Sequence, residues 1–203
     1  MPCKPSASFR STSSRSPSTT SRSAPKLGGP KGVGALFVRK GAPFSPHLHG
    51  GHQERGRRGG TENVAGIVGL GRAAELARAE LPAYAAAVQP LRDHLESELL
   101  VRLPSAERNG HATQRLPNTT NLTFPGIESE ALLLLLDQAG ICASAGSACL
   151  ADSDEPSHVV RAMKPESAAS RQRVRFSLGK ETTRAEIDAA IAAVVTAVSR
   201  LSR

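Results

Sequence analysis

The sequence predicts an α/β fold, and three observations predict it. From Asn121 onward, short apolar runs alternate with stretches of helical period in the order strand, helix, strand, helix, strand, helix. The apolar fraction, 39%, is ordinary for a packed core. Aromatic residues make up only 3% and Trp is absent, so that core must be built from Leu, Val, Ile and Ala. A chain of 203 residues has room for one large domain, or for one and a half small ones.

At the N-terminus, residues 1–22 are mostly Ser, Thr, Pro and Arg, with almost nothing to bury, and are expected to be disordered. Leu27-Gly28-Gly29-Pro30-Lys31-Gly32-Val33-Gly34 is a glycine-rich turn feeding a short apolar run at 35–39, which predicts a buried strand. Residues 43–60 form a loop dense in Gly, His and Arg. Thr61 opens a helix to about Leu81. Pro82 and Pro90 are expected to divide the helical region beyond it, in which Leu91, Leu95, Leu99 and Leu100 continue at helical spacing. The composition breaks at 104–117. A strand at 121–124 ends on Pro125-Gly126, a helix at 130–139 ends with Gly140 at its C-cap, and 141–144 is a further short strand. Residues 146–156 are a loop, Ser157 caps a helix through Met163, and 174–177 is another strand. Thr183, with Glu186 three residues on, predicts a capping box at the start of a last helix to about Leu201, with Ile187, Ile191, Val194, Val195 and Val198 on its apolar side.

Charge is uneven. Residues 1–60 hold 11 Lys or Arg against one acid, Glu54, whereas residues 61–203 hold 15 against 17. The net +8 thus belongs to the N-terminal part. Without aromatic interleaving or an RNA-binding motif, a solvated basic segment is the simpler reading than a nucleic-acid arm. Three cysteines, Cys3, Cys142 and Cys149, make no disulfide ladder and fit reduced thiols in a cytoplasmic protein. No apolar run is long enough to span a membrane, and the N-terminus lacks the apolar core of a signal peptide, although its Ser/Arg richness mimics a transit peptide.

A few residues stand out chemically. Cys149 lies in Ser144-Ala145-Gly146-Ser147-Ala148-Cys149, among small and polar residues that predict an accessible thiol; Cys142, in Gly-Ile-Cys-Ala, has the surroundings of a structural cysteine. Lys26 precedes the Gly-Gly-Pro turn, where a Schiff-base lysine or an ordinary solvated charge would both fit. That turn lacks the Gly-Lys-Ser/Thr ending of a phosphate loop. Arg175 sits inside an apolar strand and either faces solvent, the commoner outcome for a lone Arg, or grips an anion such as a carboxylate. Thr61 is placed at a helix start, as a plain N-cap or as a phosphate contact. His47, His49 and His52 have no metal-ligand spacing, and no metal site is expected.

Together these stretches resemble the cysteine desulfurases, pyridoxal-phosphate enzymes of the class V aminotransferase group. Four blocks carry the likeness, in matching order: Ser23-Ala24-Pro25-Lys26 with the turn after it; His49-Gly50-Gly51-His52-Gln53-Glu54-Arg55-Gly56 through Gly60-Thr61-Glu62-Asn63; Ser144 through Cys149; and Glu155-Pro156-Ser157-His158-Val159 with Arg175-Phe176-Ser177-Leu178-Gly179. The resemblance implies the C-terminal part of a fold-type I pyridoxal-phosphate-dependent transferase. Residues 23–103 would be a remnant of the cofactor-binding large domain with connecting helices, and 104–203 the small C-terminal domain carrying the cysteine loop. Lys26 would hold the cofactor as a Schiff base and move protons, and Ser23 would touch its phosphate. Thr61 would reach the phosphate of the partner subunit in a homodimer. Arg175 would bind the carboxylate of L-cysteine. Cys149 would take the substrate sulfur as a persulfide, for delivery to a sulfur-acceptor or iron–sulfur scaffold protein.

Two departures qualify this resemblance. Pro25 stands where these enzymes have a phosphate-contacting histidine, and it offers no donor. The chain is also about half their length, so the stacking histidine and the aspartate that pairs with the pyridine nitrogen are expected to be missing, which weakens the cofactor as an electron sink. One permitted codon choice for residues 1–8, shifted back one base, encodes Ala-Val-Gln-Ala-Val-Gly-Lys, similar to words just upstream of the Schiff-base lysine in these enzymes. We therefore hypothesise that 1–22 are an out-of-frame reading, with the frame regained near Ser23; the nucleotide sequence ahead of the Met1 codon decides it. The alternative to an active desulfurase is a non-catalytic fragment or an acceptor-binding module.

Overall fold

A computed structural model describes residues 19–23 (backbone), 27–146, 158–163 and 171–202. The chain divides into two compact units, Met1–Pro82 and Ala83–Arg203.

In the first unit, β1 (Thr19–Ser23) pairs antiparallel with β2 (Gly34–Val38), in register from Thr19↔Val38 to Ser23↔Gly34. The expectation of no structure through residue 22 therefore fails at 19–22. A strand needs hydrogen-bond partners more than apolar side chains, and the edge of β2 supplies them. Burial of β2 is not observed either: Leu36 and Phe37, which point to opposite faces, are 49% and 63% exposed. A two-stranded ribbon with neither face covered buries nothing.

The loop after β2 holds one short turn, α1 (Gln53–Gly56), in which Glu54 and Arg55 adopt left-handed φ of 51° and 60°. Helix α2 (Val64–Arg102) then runs 39 residues, passing Pro82 and Pro90 unbroken. The predicted division is thus corrected. Each proline removes one backbone bond and crowds the preceding turn, and the rest of the ladder continues around it.

The second unit carries a three-stranded antiparallel sheet in the order β3 (Glu107–Arg108), β4 (Thr119–Thr123), β5 (Arg173–Ser177). Period-2 alternation sorts its side chains. Leu122, Val174 and Phe176 enter the core, where they meet Leu95 and Leu99 of α2, Leu132 and Leu136 of α3 (Ser129–Gln138), and Ile187, Ile191, Val194 and Val198 of α5 (Arg184–Leu201). Asn121, Arg173 and Arg175 have the opposite parity, and Asn121 pairs directly with Arg175.

Two caps of the second unit are as the sequence predicts. Thr183 and Glu186 form a complete capping box. Gly140 comes after α3 at φ 76°, with its N–H on the Asp137 carbonyl and the Ile141 N–H on that of Leu136, the double closure of a Schellman motif. Residues 141–144 do not form the expected strand; only a single bridge, Ser144↔Arg175, is made before the chain turns away. The helix His158–Met163, α4, agrees in extent, while its expected cap Ser157 lies outside the described residues.

A buried charge cluster ties α2 to the sheet. The Glu96 side chain, 6% exposed, accepts from both terminal nitrogens of Arg115, from Arg108 and from the Thr120 hydroxyl. Burial by itself would raise the Glu96 pKa, but these hydrogen bonds and the Arg115 charge outweigh it and bring it from 4.5 to about 2.

Candidate active site

The sequence-predicted site residues fall in both units. Ser23, Lys26 and Thr61 belong to the first, Cys149 and Arg175 to the second.

In the first unit, glycines allow the backbone to close on itself. The Gly59 N–H donates to the Leu48 carbonyl at 2.9 Å. A Cβ on Gly59 would lie 2.8 Å from backbone atoms of His49 and Gly50, so only glycine fits. At Gly69 of α2 a Cβ would come within 2.6 Å of the Pro30 ring, so the helix packs directly on the turn after Lys26. These two contacts lie close in sequence to Thr61 and to Lys26, where the resemblance puts cofactor contacts.

Thr61 is exposed and lies ahead of the helix, not at its start. The cap is Asn63, whose Oδ1 accepts the Gly66 N–H at 3.0 Å. That frees the Thr61 hydroxyl from capping and leaves it available to a ligand. Ser23 ends β1 opposite Gly34. Lys26 lies outside the described residues, as does Cys149. Cys142, expected to be structural, is exposed instead.

In the second unit a cavity of about 170 Å³ opens on the polar side of the sheet, bounded by Asn109, Asn121, Gly146, Arg173, Arg175 and apolar residues of α4. Arg175 does not take the solvent-facing alternative. It is half-buried at the cavity, its backbone is clamped by two hydrogen bonds with Ser144 (3.2 and 2.7 Å), and its Nε is buried without a partner among the described residues. A buried donor without an acceptor is costly, and an incoming anion removes that cost. Gly146, three positions before Cys149 in sequence, is at the cavity wall.

The sequence does not single out Arg173, yet it lines the same cavity and is 5% exposed. Strand alternation is the available signal, since Arg173 and Arg175 share a face. Asn109 and Asn121 are likewise unmarked in the sequence; the Asn109 amide donates to Asn121 Oδ1 and to the Thr123 hydroxyl, both at 2.8 Å.

Pyridoxal phosphate can be tested against these residues. The tight backbone approach at Gly59, the exposed Thr61 and the Arg175 Nε, which has no partner among the described residues, suit a phosphate-bearing cofactor and a carboxylate substrate, so the residues fit. Among the described residues no group of His, Cys, Asp or Glu is arranged to hold a metal ion, and no helix is long and apolar enough to cross a membrane.

Similarity to known proteins extends over most of the chain. The Aminotransferase class-V family matches residues 19–190. The sequence is 54% identical over 176 residues to a cysteine desulfurase of Trichormus azollae, covering 87% of this chain and 44% of that protein. It is 55% identical over 168 residues to one of Cereibacter sphaeroides, covering 83% and 43%. The fold is similar to that of a NifS-like protein, with TM-score 0.76, 38% identity, and 90% of this chain against 47% of the other. It is equally similar to a NifS-like protein of Rickettsia africae, with TM-score 0.76, 30% identity, and 90% against 48%. The chain therefore spans a little under half the length of the curated relatives it matches.

Proposed function

Because the chain belongs to the class V aminotransferase family, we propose that it carries part of a pyridoxal-phosphate-dependent cysteine desulfurase. The observation that carries this reading is the cavity lined by Gly146, three positions before Cys149 in sequence, and by Arg175, whose Nε has no partner among the described residues. Bound pyridoxal phosphate would supply an electron sink for the amino acid substrate. Lys26 would hold it through its amine, and the hydroxyls of Ser23 and, across a homodimer, Thr61 would hold its phosphate.

The chain's own residues divide the remaining work. Arg175 binds the carboxylate of L-cysteine and orients it. The Cys149 thiolate attacks the substrate sulfur, forming an S–S bond as the substrate's carbon–sulfur bond breaks. The bonding pair stays on carbon, which takes a proton, with Lys26 the proton carrier, and L-alanine leaves. Cys149 keeps the sulfur as a persulfide and passes it to an acceptor, an iron–sulfur scaffold or thio-cofactor protein in the cytoplasm.

Cys149→Ser should abolish sulfide release from L-cysteine while leaving the visible cofactor absorbance, and Lys26→Ala should remove that absorbance. Full sulfide release by the Cys149→Ser protein would exclude Cys149 from the reaction. A second reading, a non-catalytic fragment that is inert or binds a sulfur acceptor through its C-terminal region, is favoured by the chain's spanning a little under half the length of its curated relatives. Stoichiometric cofactor binding with turnover by the full chain would exclude it.

A further inference from the structure

Two guanidinium groups meet at the second-unit cavity. Arg173 and Arg175 are two positions apart on one face of β5, and both line the cavity. Among the described residues neither takes part in an ion pair. Burial, and then the neighbouring Arg175 charge, push the Arg173 guanidinium below its ordinary pKa. Two like charges side by side, partly out of water, are unfavourable until an anion lies between them.

The rest of the wall suits such an anion. Asn109 donates to Asn121 Oδ1, so the other end of the Asn121 amide, at the cavity's lining, is a donor. Val159 and Met163 supply an apolar side, and the volume of about 170 Å³ suits a small ligand. No carboxylate of the described residues lines the cavity.

We propose that Arg173 is a second carboxylate-binding residue, sharing with Arg175 the carboxylate of a small amino acid in this cavity. The inference rests on the reading of Arg175 as the carboxylate ligand, and it assigns the neighbouring position a role in affinity and in selection for an anionic group. A planar carboxylate has two oxygens, and a guanidinium on each side satisfies both.

The test uses the full chain labelled with nitrogen-15, with the side-chain Nε–H signals of Arg173 and Arg175 monitored by NMR. L-alanine is titrated at constant ionic strength, with L-alaninamide, which lacks the carboxylate, as control. Both signals should move saturably with L-alanine and neither with the amide. Arg173→Gln should raise the L-alanine dissociation constant about tenfold or more, and Arg173→Lys should recover part of the loss. If the Arg173 signal stays still while that of Arg175 moves, or if a folded Arg173→Gln protein binds as tightly as the parent, the inference is overturned and the Arg175 reading stands. If neither signal moves, both fall. Should the Gln variant fail to fold, the shifts in the unmodified protein still decide.

Discussion

Glu96 shows how one residue can set a stability window. Its carboxyl titrates at about 2 in the folded chain against 4.5 when free. A depressed carboxyl contributes stability that is complete above its unfolded pKa and is lost as pH falls toward the folded one. The window is therefore pH 4.5 down to about 2, and the contribution is on the order of 3 kcal/mol. In Glu96→Gln, urea unfolding measured between pH 6 and 2 should lose most of this slope, and at neutral pH the variant should be less stable by about 3 kcal/mol because Arg115 is left without its buried partner. Nothing local in the sequence marks Glu96. Its partners Arg108, Arg115 and Thr120 come from 12, 19 and 24 positions away, and only the meeting of α2 with the sheet makes them a cluster.

At the scale of elements, the local signals hold where the physics is local. The Thr183 box needs only four consecutive residues, and it forms as expected. Thr183→Ala should lower stability by about 1 kcal/mol, read as a shift of the unfolding midpoint without a change in its slope. Gly59 is a different case, because its constraint is a backbone contact made across a loop. Gly59→Ala would drive a methyl into His49 and Gly50, which lie 2.8 Å from that position. The loop should open, and trypsin should cut faster at Arg57 and Arg58 than in the parent. An unchanged cleavage rate would show that the loop tolerates the side chain. The start of α2 departs from expectation for a related reason. Thr61 and Asn63 are both good caps, and the Asn63–Gly66 hydrogen bond together with the packing of Gly69 on Pro30 selects the second.

Across the whole molecule, the two units differ in what they bury. The second has a continuous core from Leu95 to Val198. The first exposes Leu36, Phe37, Leu48, Val64, Ile67 and Val68, between 46% and 66% each. Exposed apolar area of even a few hundred Å² forgoes several kcal/mol at roughly 25 cal/mol per Å², comparable to a domain's net stability. The isolated chain should therefore associate or aggregate unless a partner covers these residues. Amide exchange should be much faster at Leu36–Val38 than at Val174–Ser177. Equal protection in a monomeric, cooperatively melting sample would refute this. Replacing Phe37 by Ser should raise solubility while leaving the melting of the second unit unchanged.

The sequence alone determined the strands around Leu122 and Val174, the helices that follow each of them, the Thr183 and Gly140 caps, the family, and the presence of an arginine inside a buried strand. These arise from period, capping chemistry and ordered motifs, all of which act over a few residues. Tertiary structure decided the rest. It paired Thr19–Ser23 with β2 although nothing apolar called for a strand there. It carried α2 past two prolines, each of which removes only one backbone bond from a long ladder. It also placed Arg173 beside Arg175 at one cavity, because side chains two apart on a strand share a face and only the closing of the surrounding elements determines what that face meets.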